Sequence, residues 1–130
     1  MMAKYRPRIY QTPFGHVLYA LARNQKQLNQ ITGSRQEKFL DVKADACVTY
    51  FENESNQALC IVQLPNVAGK TIVQIHGLLL HEAVHVWQKL KNVMYEDCPS
   101  IEFEAYSIQR IALDLFEAFH DSDRAGGVNG

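Results

Sequence analysis

From Thr71 onward the apolar residues of this chain stop alternating and recur instead every third or fourth position, almost to its end. That switch limits the possible folds, because a period of two belongs to strands and a period near 3.6 to helices. Thr71-Ile72-Val73-Gln74 has the form of a capping box, in which the threonine side chain and Gln74 each satisfy a free backbone amide. A long helix fits Ile72 to about Lys91, with Gly77 as its weak point. Pro99-Ser100 restarts the chain, with Ser100 as N-cap. Ile101, Ala105, Ile108, Ala112, Leu115 and Phe119 then predict a second helix running to about Phe119.

Before the switch the signals are those of strands. Ala46 to Phe51 (ACVTYF) and Ala58 to Leu64 (ALCIVQL) are β-branched and aromatic. The polar ENESNQ between them is too long for a two-residue turn, so they read as antiparallel strands joined by a loop. Gly15 to Ala22 (GHVLYALA) reads as a strand followed by a short helix over Asn24 to Ile31, with Asn24 as cap and Thr32-Gly33 as stop. The same residues also fit one continuous helix. The expected architecture is α+β: a small sheet containing antiparallel strands, then two long helices. At 130 residues the chain suits one domain over 1–130, with residues 1–12 and 121–130 expected to be flexible.

Composition removes several functions. Thirteen Lys and Arg against fourteen Asp and Glu give a net charge of −1, without the basic excess of a nucleic-acid partner. Lys4, Arg6 and Arg8 read as a solvated tail. No apolar run reaches the roughly 20 residues of a membrane span, and MMAKYRPRIYQTP lacks the apolar core of a secretory signal. Cys47, Cys60 and Cys98 are an odd set without CxxC spacing, so a reducing, cytoplasmic location is expected.

The residues that carry chemistry are His81-Glu82-Ala83-Val84-His85, an HExxH sequence. Four residues apart on a helix, the two histidines share a face and both imidazoles can converge on one metal ion. Glu82 lies about 100° around the helix, placed to take a proton from water rather than to act as a ligand. The uncharged Leu78 to Leu80, Ala83, Val84, Val86 and Trp87 suit a buried helix. Two histidines leave a zinc site short of one protein ligand, and no HExxHxxGxxH extension follows. The carboxylates of Ser100-Ile101-Glu102-Phe103-Glu104-Ala105-Tyr106 are the available candidates.

HEAVHVWQ followed by PSIEFEAYSIQ resembles the gluzincin class of zinc metallopeptidases, and is similar to short stand-alone domains of that kind encoded by phages and prophages. The resemblance covers roughly Thr71 to Leu115. It implies a zincin-like fold, a Zn2+ cofactor, a peptide or protein substrate, His81 and His85 as ligands and Glu82 as general base. It also implies Glu102 as third ligand, because the class pattern ExxAD falls on Glu102 to Tyr106, with Glu104 as the alternative. Tyr106 stands where that pattern has Asp or Asn, the residue that steadies a histidine ligand from behind; Gln109 is a further candidate for that place.

Two residues are candidates for polarising a substrate carbonyl: Tyr95, between the two helices, and His120. His16 and His76 have no partner at ligand spacing and read as structural, and Cys98 as inert. Two functional expectations follow. The first is a peptide hydrolase using zinc and Glu82, with neither nucleic acid nor membrane as partner. The alternative is a catalytically silent zinc-binding module of phage type, structural or binding a host protein.

Overall fold

The computed structural model describes residues 4–33, 37–40, 45–52 and 55–125. Strand β1 (Tyr10–Gln11) leads through a 3-10 turn at Pro13–Gly15 into β2 (Val17–Ala22) and helix α1 (Gln25–Thr32). Strands β3 (Cys47–Glu52) and β4 (Ala58–Gln63) precede the long helices α2 (Ile72–Val93) and α3 (Ile101–Arg124). The fold is α+β. Its four strands form a mixed sheet in the order β1-β2-β4-β3. β3 runs antiparallel to β4, whereas β2 and β4 pair in parallel.

That parallel pair was not expected, and it explains the apolar run of β4. Leu59 to Val62 are all buried because α1 covers one face of the sheet and the helix pair the other. Alternate residues divide accordingly. Tyr19, Leu21, Cys60 and Val62 pack with Leu79, Val86 and Leu115 of the helix pair. Ala22, Leu59 and Ile61 pack with Leu28 of α1. Between the two readings of Gly15 to Ile31, the structure has strand then helix: Gln27 N donates to Asn24 Oδ1 at 2.9 Å, and left-handed Gly33 ends α1.

The caps of the long helices are those the sequence predicts. Gln74 N donates to Thr71 Oγ1 at 3.1 Å and Thr71 N to Gln74 Oε1 at 2.9 Å. Phe103 N donates to Ser100 Oγ at 3.1 Å. The ends of the chain are better packed than expected. Tyr5 is buried and its hydroxyl donates to Leu21 O, while β1 falls inside the lead-in. Helix α3 runs past Phe119 to Arg124, because Ser122 is buried and accepts from Arg23 Nη1 at 2.8 Å. The expectation of flexibility for 1–3 and 126–130 falls outside the described residues.

Candidate metal centre

The histidines of the HExxH sequence lie in the middle of α2 and converge. His81 Nε2 and His85 Nε2 stand 3.2 Å apart. Two nitrogens each about 2.05 Å from one ion at a tetrahedral angle would stand about 3.3 Å apart, so the spacing suits joint coordination. His85 Nδ1 donates to Gln88 Oε1 at 2.9 Å, which leaves the lone pair on Nε2. Without an ion, His81 Nε2–H can donate to that lone pair.

Glu82 points elsewhere, as its place on the helix requires. It is buried, and its Oε2 has no hydrogen-bond partner among the described residues. Burial raises its carboxyl above the usual range, opposed by His85 and His81. It lies toward edge strand β3: burial also raises the Cys47 thiol, with Thr49 opposing and Glu82 adding to the rise. Lys89 over the Tyr50 ring, 5.5 Å from its centroid, fastens α2 to the same strand. A cleft of about 630 Å³ opens between Asp45 and Lys70 on one side and Gly77, Leu78, His81 and Glu82 on the other.

The carboxylates of α3 are not brought to this pair. Trp87 Nε1 donates to Glu104 Oε2 at 2.9 Å, on the flank of α2 that also carries His76 and touches α3. At 100° per residue, His81 and His85 lie about 140° and about 180° around α2 from His76. Glu102 is exposed, in a row with exposed Tyr106 and Gln109 on the outer side of α3. Among the described residues no third His, Cys, Asp or Glu joins the two histidines. The donor set thus fits an imidazole-preferring ion through two nitrogens, with its remaining positions left to other donors.

Tyr95 occupies a left-handed turn between the helices (φ 57°) and is 94% exposed. It lines a shallow depression with Gln88, next to the His85 side of α2. His120 is remote from that side, because its Nε2 meets His76 Nε2 at 3.0 Å. The sequence reading missed two features. Gln88 sits three residues after His85, a spacing that could have revealed it. The partner of His76 lies 44 residues away, beyond any spacing argument.

Comparison of the chain with protein-family models, with curated proteins and with solved structures gives no match. Among the described residues no helix is long and apolar enough to cross a membrane.

Proposed function

We propose that this chain is a zinc-dependent peptide hydrolase of zincin-like type, with His81 and His85 as metal ligands and Glu82 as the proton carrier. The observation that supports this most is the convergence of two Nε2 atoms at 3.2 Å, with a buried carboxylate bearing an unpartnered oxygen lining the same cleft as His81. When bound, zinc would supply Lewis acidity at the two histidines. Glu82 accepts a proton from the attacking water and delivers it to the departing amine, and its burial favours the protonated form between those steps. Gln88 holds the His85 ring. The resemblance implies a third protein donor from α3, Glu102 or Glu104, whereas α3 packs on the flank of α2 that faces away from the two histidines.

The test combines metal content with cleavage of a diverse peptide library. Wild type is expected to hold zinc, to lose it on His81→Ala, and to keep it in Glu82→Gln while cleavage falls about 10²- to 10⁴-fold. A wild type that neither binds zinc nor cleaves any peptide would overturn the proposal. The alternative is a zinc-binding module without turnover that uses the same histidine pair. Zinc binding with no cleavage in either wild type or Glu82→Gln would select it.

A further inference from the structure

A second pair of imidazoles converges on the other flank of α2, this time across the helix hairpin. His76 Nε2 on α2 and His120 Nε2 on α3 stand 3.0 Å apart. Both rings are held by aromatic packing. His76 lies nearly flat against Phe116, with centroids 4.4 Å apart and planes at 19°. His120 meets Phe119 edge-on at 5.2 Å. The freedom that two histidines lose on chelation is therefore largely lost before a ligand arrives. Both side chains are half-buried, so water can still reach them.

The spacing is one that an ion can bridge. Two cis nitrogens about 2.0 Å from a square-planar centre stand about 2.8 Å apart, and two on a tetrahedral centre about 3.3 Å. The observed 3.0 Å lies between these limits. Electrostatics agree at the α3 end. Around His120, the three acidic residues Glu117, Asp121 and Asp123 outnumber Arg124 and Arg23, which reaches Ser122 and the Phe119 ring. His76 and His120 each stand five residues from the cap at the nearer end of their helix, so neither helix dipole decides the charge at the pair.

We propose that His76 and His120 form a separate cation site for an imidazole-preferring divalent ion, Cu2+ most tightly, which cross-links α2 to α3. No third His, Cys, Asp or Glu joins this pair among the described residues, so water fills the other positions. A hydrogen bond between neutral imidazoles would also account for the distance, and metal titration separates the two.

The test uses the full chain carrying His81→Ala and His85→Ala, so failure of this site and failure of the proposed zinc centre are distinct. Titration with Cu2+ should show one saturable equivalent whose electron paramagnetic resonance spectrum carries coupling to two nitrogens. At a concentration about a hundredfold above Kd, the melting temperature should rise by roughly 10 °C. Adding His76→Phe or His120→Phe, which keeps an aromatic ring in place, should lower Cu2+ affinity at least tenfold. An equivalent that survives both substitutions, or no saturable equivalent, would overturn the proposal. Should either Phe variant fail to fold, nitrogen NMR of the parent with Zn2+ decides: shifts at the ring nitrogens of His76 and His120 support the site, and unmoved signals refute it.

Discussion

Gln88 bears on the proposed metal centre through its contact with His85 alone. It is exposed, so replacing it should alter stability by no more than about 0.5 kcal/mol. Its Oε1 nevertheless holds the proton on His85 Nδ1 and so keeps Nε2 free to donate its lone pair. Gln88→Leu removes that acceptor while preserving bulk on an exposed helical position. Zinc affinity, measured against a competing chelator, is expected to fall about 10- to 100-fold with an unchanged melting temperature in the absence of metal. Unchanged affinity would mean that the Gln88 contact does not orient the ring. At this scale the sequence was informative where helix periodicity alone decides proximity: the convergence of His81 and His85 was legible, whereas the burial of Glu82 toward β3 depends on how α2 packs on the sheet. The convergence of His76 and His120 was not legible, because only the antiparallel packing of α2 on α3 brings them together.

Along the elements, boundaries set by local hydrogen bonds were the most legible. Asn24, Thr71 and Ser100 cap the helices that the sequence assigns to them. The end of α3 was not, since it depends on Arg23, a residue from a different element. Arg23 Nε donates to Leu64 O at 2.9 Å and its guanidinium lies 4.9 Å from the Phe119 ring centroid, so β2, the end of β4 and α3 meet at one buried side chain. The rotation of α3 about its own axis was equally hidden. Glu104 heads the inward row of Ser107, Ile111 and Leu115, whereas Glu102 heads the outward row of Tyr106 and Gln109. This rotation yields a direct comparison. Glu104→Ala should destabilise the chain by about 1–3 kcal/mol, because it leaves the Trp87 Nε1–H without its acceptor. Glu102→Ala should change stability by less than about 0.5 kcal/mol. Zinc affinity is a separate measurement on Glu102→Gln and Glu104→Gln: a loss well beyond 100-fold in either identifies it as the third ligand, and no loss in both removes α3 from the centre.

Across the whole molecule, the sheet and helix pair enclose several weakly acidic groups in protonated form. Burial raises the phenols of Tyr5 and Tyr19 well above their ordinary value of 10.0, with the hydrogen bond to Asp114 adding to the rise at Tyr19. Tyr10 is pushed up to about 12, chiefly by burial and then by Asp114. Cys60, between the sheet and α2, is pushed up from 9.0 to about 12 by the same burial. In the unfolded chain these groups release protons near pH 9 to 10, while the folded chain holds them to about pH 12. Over that window the unfolded state binds fewer protons, so stability falls as pH rises. The protection is complete below about pH 9 and is lost progressively up to about pH 12. Thermal melts between pH 8 and 11.5 should therefore show a steep decline beginning near pH 9. Tyr10→Phe keeps the ring stacked on Tyr19 at 5.5 Å but removes one titrating hydroxyl, so its decline should be shallower. Lysine deprotonation would affect both proteins alike, which makes the difference between the two curves the decisive quantity. Parallel curves would show that the Tyr10 phenol is not protected by folding.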